Sequence, residues 1–207
     1  MALRLVPADN RIHAMVSAAT AHVVLGCRDL SVALGSDPGT RVEAFDRLRD
    51  LMAEADDTCT DLLARVATSF VTPLDHRDLH AMARGLHMSI EHVVGAADLA
   101  QLNGVDEVPQ LLHDLIGVLS RMAELTAENL PRLRADKVTL AYAADIHRLG
   151  IRAGVTHRRL VSARLADERV KVRASLKLIG VADEVARAAA ALRDVATVAE
   201  GAAVVGS

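Results

Sequence analysis

Aromatic residues are nearly absent from this sequence: two Phe, one Tyr and no Trp among 207 residues. A pocket that holds its ligand by stacking has almost nothing to be built from, and the same shortage removes the usual platforms for nucleic-acid bases. Cysteine is equally sparse. Cys27 and Cys59 form no CxxC or other paired spacing, which excludes a disulfide framework and a cysteine-rich zinc module. The opening "MALRLVP" has no apolar core of the kind a secretory signal needs, so a cytoplasmic, reduced protein is expected. Long hydrophobic runs are missing too. Even "AAALRDVATVAEGAAVVG" is interrupted by charge, so no segment is expected to insert into a bilayer, and any membrane role should come through a partner. No P-loop, GxGxxG, GxSxG or HExxH occurs, which leaves nucleotide, esterase and zinc-protease readings without support and favours a non-enzymatic protein.

Ala, Leu and Val dominate instead, a composition that favours helices over sheets and predicts an all-α chain. The formal net charge is -3, which gives no reason to expect nucleic acid. The charge is uneven, however. Between Arg148 and Lys177 stand nine Lys and Arg against two acids, Asp167 and Glu168, so this segment is expected either to meet an acidic partner or to form a solvated helical face.

Helical periodicity with Gly and Pro punctuation divides the chain into six segments. The first is expected from about Asn10 to Leu34, stopping at "GSDPG", and the second from about Thr40 to Phe70. At "TPLD", Thr72 is the expected cap of a third helix, with Pro73 in its first turn and Asp75 completing a capping box. That helix carries Leu79, Met82, Leu86, Ile90, Val93 and Ala97 on one face and ends at "NGVDEVP". The fourth is expected from about Gln110 to Leu130, closed by Pro131, the fifth from about Lys137 to Arg164 and the sixth from about Arg169 to Val204. Helix lengths run short, long, long and then repeat. Two pseudo-repeated three-helix bundles follow, repeat one about 8–104 and repeat two about 105–204, related by a shift of roughly 98 residues within a single domain.

In "GLHMSIEH", His87 stands four residues before Glu91, so the two share a helical face and could reach one ligand together. His76, His80, His87, Glu91 and Asp98 form a polar stripe beside the apolar face, with His80 a candidate outer partner; a solvated flank reads the same way.

The stretch "SFVTPLDHRDLHAMARGLHMSIEHVVGAADL" resembles the "F-I-T-P-x-D-R-E-D-I" signature of PhoU-like phosphate-transport regulators, in the branch that accompanies Pit inorganic phosphate permeases. Weaker likeness continues through "AEADDTC", "AELTAENLPRLR", "IHRLGIRAGVTHRRL" and "DVATVAEG". The resemblance implies two three-helix repeats, a regulatory role at a Pit-type permease, and boxes of carboxylates four residues apart on two helices of each repeat, binding a metal. Here those boxes are degenerate. The first-repeat positions read Met52 and Asp56 on the second helix and His87 and Glu91 on the third; the second-repeat positions read Gly150, Gly154, Ala186 and Ala190, which cannot ligate. What remains is Asp56, His87 and Glu91, a mixed set suited to one divalent Zn, Ni, Co or Fe ion rather than to an oxygen-only cluster. The alternative is a hydrogen-bonded relic that binds nothing. The small residues at the second-repeat positions predict closer packing of the fifth and sixth helices than of the second and third. A divergent helical-bundle metal-binding protein and a structural partner in a homo- or hetero-oligomer are the other functional readings. A ferritin-like metalloenzyme would need E-x-x-H pairs, which the sequence lacks.

Overall fold

The structure is a computed structural model that describes residues 10–69, 72, 74–105, 107–132 and 137–205. Six α-helices account for nearly all of it, with no strand among the described residues: α1 (Asn10–Gly35), α2 (Pro38–Thr68), α3 (His76–Asn103), α4 (Gln110–Asn129), α5 (Lys137–Ala166) and α6 (Val172–Val205). A 3-10 turn, Leu130–Arg132, extends α4. The chain is therefore all-α, as its composition predicts.

Local chemistry sets the ends of the helices. Asp37 caps α2: its carboxylate accepts the N–H groups of Gly39 at 3.0 Å and Thr40 at 3.3 Å, and Pro38 follows where its missing N–H costs nothing. Gly104 ends α3 in the left-handed region at φ 59°, a conformation glycine adopts without penalty, and Val105 N–H then reaches back to Ala100 O at 3.0 Å. The start of α3 differs from expectation. Its cap is Asp75, which accepts Arg77 N–H at 2.8 Å, while the Thr72 hydroxyl donates to Leu74 O at 2.6 Å and so caps no helix. The expected helical role of Pro73 lies outside the described residues, as do Phe70 and Val71. The helix begins three residues late because Asp75 offers its N–H partners a charged acceptor, the stronger of the two caps. Similarly, α6 begins at Val172 rather than Arg169, since Asp167 accepts Arg169 N–H and holds residues 167–170 in a turn.

Each helix touches both others of its own set of three, α1–α3 or α4–α6, each set a triplet in chain order. Within the first, α1, α2 and α3 all touch one another; within the second, α4, α5 and α6 do the same; α3 against α6 and α1 against α4 join them. This pairing pattern is unchanged when each helix is exchanged with the one three later. The contact between α3 and α6 is the most extensive. They run antiparallel, held by Ser89 Oγ donating to Ala188 O at 3.2 Å and Lys177 Nζ donating to Asn103 O at 2.6 Å. Small residues make the closeness feasible: Ala83, Ala96, Ala97 and Ala100 are buried on α3, and Ala182, Ala188, Ala189, Ala196 and Ala199 on α6. A Cβ added at Gly85 would lie 2.5 Å from Val195 Cγ2, so α6 sits where only glycine fits. Gly26 on α1 is under similar pressure from the Ile90 side chain of α3. One continuous core, with Leu30, Leu62, Ile90, Leu119, Ile146 and Leu192 among its members, draws on all six helices.

The fifth and sixth helices meet more extensively than the second and third, as expected, but Gly150 and Gly154 are not points of close backbone approach. A Cβ at Gly150 would meet the flexible stem of Arg193 at 3.2 Å, and one at Gly154 would meet only Arg158 of its own helix, at 3.4 Å. Both face exposed arginine side chains rather than the backbone of α6; the close approaches lie at Gly26 and Gly85 instead.

Candidate functional site

Asp56 on α2 and His87 on α3 are brought together. His87 Nε2 lies 2.6 Å from Asp56 Oδ1, so Nε2 carries the proton and donates it to the carboxylate. The opposite nitrogen, Nδ1, points inward, is buried, and has no hydrogen-bond partner among the described residues. It lines a cavity of about 10 Å³, roughly the size of one water molecule. His22 on α1 lines the same cavity in a looser version of the arrangement: its Nε2 lies 3.9 Å from Glu54 Oε2, and its Nδ1 is buried without a hydrogen-bond partner among the described residues. Burial drives the His22 pKa below the usual histidine value, against a smaller upward pull from Glu54. Cys59 forms part of the wall, its thiol pointing to Ala83 O at 4.0 Å.

Glu91, one turn beyond His87, is exposed. Among the described residues no three His, Cys, Asp or Glu side chains are grouped so that they could hold one ion. Asp56 Oδ1 is engaged with His87 Nε2, and the free nitrogen of His87, Nδ1, has no group of acids, thiols or histidines gathered beside it among the described residues. As placed, Asp56, His87 and Glu91 supply a pair rather than a set, and they do not fit the metal centre that the family resemblance implies. The polar stripe on α3 also divides: His76 Nε2 reaches Ser69 O at 3.0 Å, and His80 is exposed.

Three further histidines that the sequence does not single out are bound to carboxylates across helix seams. His92 Nδ1 meets Glu184 Oε2 at 2.7 Å between α3 and α6, where Glu184 also pairs with Arg187. His157 Nε2 meets Asp183 Oδ1 at 2.7 Å, and His147 Nε2 meets Glu200 Oε2 at 3.2 Å, both between α5 and α6. Gly95 leaves room for Glu184, whose carboxylate oxygen would lie 3.6 Å from a Cβ there. Polar groups therefore fasten the second and third helices of both triplets, with histidine on the third helix in one and on the second helix in the other.

A shallow groove of about 340 Å³ runs between α3 and α6, with Gly85 and Val195 in its floor and Met88, Arg84, Arg187 and Asp194 among its walls. Neither thiol is a nucleophile at neutral pH. Burial, reinforced by Glu124, raises Cys27 to about 12, and burial likewise raises Cys59. The basic stretch occupies the outer face of α5, the turn after it and the start of α6, where Arg148, Arg152, Arg158, Arg159, Arg169 and Lys171 are exposed. No helix among the described residues is long and apolar enough to cross a membrane. Comparison of the sequence with protein-family models and with curated proteins returns no match.

Proposed function

We propose that this chain is a non-enzymatic accessory protein of inorganic phosphate transport, PhoU-like, working at the inner face of the membrane on a Pit-type phosphate permease. The observation that carries this reading is the helix pairing: six helices in two triplets whose contacts map onto themselves on exchange, in the order that the resemblance along residues 69–99 implies. The exposed basic stretch supports docking beside a membrane protein, since clusters of one sign steer association. Regulation here would not run through a family-type metal cluster, because Asp56 is satisfied by His87 and the second-triplet positions carry no ligating side chain. The same observation favours a second reading, a structural partner in a hetero-oligomer with a relative whose boxes are intact.

Phosphate uptake tests the proposal. Cells with and without this chain are compared for entry of labelled phosphate, in the presence and absence of the Pit-type permease. The expected result is a difference that exists only when the permease is present. Uptake unaffected by the chain would overturn the regulatory reading, and recovery of a PhoU-like relative on the purified chain would then favour the structural one.

A further inference from the structure

We propose that the outer face of α5, continued by the first turn of α6, binds the anionic headgroups of a phospholipid bilayer directly, without an intermediary protein. Arg148, Ile151, Arg152, Val155 and Arg159 recur at spacings of three and four, so they share one face of the helix. From Arg148 to Leu165 that face is about 26 Å long. Its aliphatic side chains stand in solvent: Ile151 is 68% exposed, Leu165 62%, Val172 70% and Leu176 59%. Isolated apolar residues on a surface need no explanation. Here they are interleaved with arginines, and it is the combination that selects the partner.

Three of the arginines lack counter-charges. Among the described residues no carboxylate pairs with Arg152, Arg158 or Arg159; Arg158 folds back over Gly154 of its own helix. The nearby acids are engaged or set apart. Asp145 pairs with Arg148, Asp183 with His157 in the inner seam, and Asp167 with Arg169 in the turn, leaving Glu168 exposed beside Arg169 and Lys171. Ser175 Oγ donates to Arg164 O at 3.1 Å, which joins the start of α6, carrying Val172 and Leu176, to the end of α5, carrying Leu165.

A second copy is a poor occupant. Two such faces would repel across a two-fold axis. The acidic outer face of α2, with Glu43, Asp50, Glu54, Asp57 and Asp61, would attract the arginines, but Val42 is its one large exposed aliphatic among the described residues, so Ile151, Leu165 and Val172 would stay uncovered. A bilayer satisfies both demands. Lipid phosphates accept paired guanidinium hydrogen bonds, and aliphatic side chains enter the boundary between headgroups and acyl chains. A single helix face is convex, and lipids can rearrange around it.

The inference shares with the proposed function only the placement at a membrane, and protein-free vesicles test it alone. The full chain is sedimented with vesicles of phosphatidylcholine, with and without phosphatidylglycerol, over a salt series. Binding to the anionic vesicles is expected to exceed binding to the neutral ones at least tenfold and to fall as salt rises. Arg152→Gln with Arg159→Gln should weaken it by about thirty-fold, each basic residue at an anionic surface contributing about fivefold. Ile151→Ser with Leu165→Ser should weaken it as well, whereas Arg28→Glu, on the exposed side of α1, should not. Helical circular dichroism checks each variant for folding. Equal binding to both vesicle types, no binding, or equal losses for Arg28→Glu would overturn the proposal. So would an arginine double variant that still binds lipid but no longer self-associates, which would assign the face to a second copy.

Discussion

At the residue scale the chain departs most from what its family resemblance implies, and Asp56 with His87 shows how. The resemblance singles out both residues, and they do meet as a hydrogen-bonded pair, but no third ligand is grouped with them among the described residues. Glu91 shares the helical face of His87 by spacing, yet spacing along α3 says nothing about how far Asp56 reaches from α2. His22 was not legible at all: nothing in its neighbours on α1 marks it, and only the fold brings it to the cavity behind His87. Its depressed pKa makes a prediction whose sign is fixed. A histidine harder to protonate when folded than when unfolded leaves the unfolded state holding more protons as pH falls below the free value of 6.5, so it subtracts stability in that window and not above it. His22→Asn should therefore melt more evenly than the parent between pH 7 and 5, with the two curves drawing together on the alkaline side. Denaturation midpoints at a series of pH values check this, and a parent no more pH-sensitive than the variant would contradict it. Asp37 carries the opposite sign. The Thr40 hydroxyl and the N–H groups it caps hold its carboxyl below 3.8, so its stabilisation is present above that value and disappears as pH falls through the lower, folded one. Asp37→Ala should lower the melting temperature at neutral pH, and the gap should narrow on acidification.

At the element scale the sequence reads well wherever a single residue dictates a backbone geometry. Gly104 after Asn103 is visible in sequence as a terminator, and "GSDPG" as a break, although α2 begins at Pro38 rather than near Thr40. The start of α3 was misread because two caps compete there within four residues, and the outcome depends on which acceptor wins. Glycines were misread for a related reason. In sequence Gly85 and Gly117 are each one glycine inside a helix; in the fold one faces Val195 and the other faces nothing within 4 Å. Gly117→Ala should stabilise the protein by about 0.5–1 kcal/mol through helix propensity alone. Gly85→Ala gains the same propensity but forces α3 and α6 apart, and overpacking of about 1–3 kcal/mol should make it a net loss. Chemical denaturation of the two variants beside the parent measures both, and a stabilising Gly85→Ala would show that the α3–α6 seam is looser than described.

At the scale of the whole molecule, helix number, order and class were all legible, because six amphipathic segments with terminators leave few other architectures. The seams were not. His92 and Glu184 are 92 residues apart, and no local pattern announces that they touch. The tie matters because α3 and α6 bury each other, so neither triplet is closed by itself. Residues 1–104 expressed alone should expose the buried face of α3 and bind hydrophobic dyes, with poor dispersion of their amide resonances; a compact, well-dispersed half would mean that each triplet folds independently. Function at this scale rests on what the assembled surface meets. Affinity purification of the chain from detergent-solubilised membranes, followed by identification of the proteins retained, tests that most directly. A many-helix Pit-type phosphate permease is expected to co-purify with the parent chain, to be released by rising salt, and to be lost on Arg158→Glu with Arg159→Glu. Absence of that permease from the parent preparation, or its undiminished recovery with the charge-reversed chain, would contradict the account.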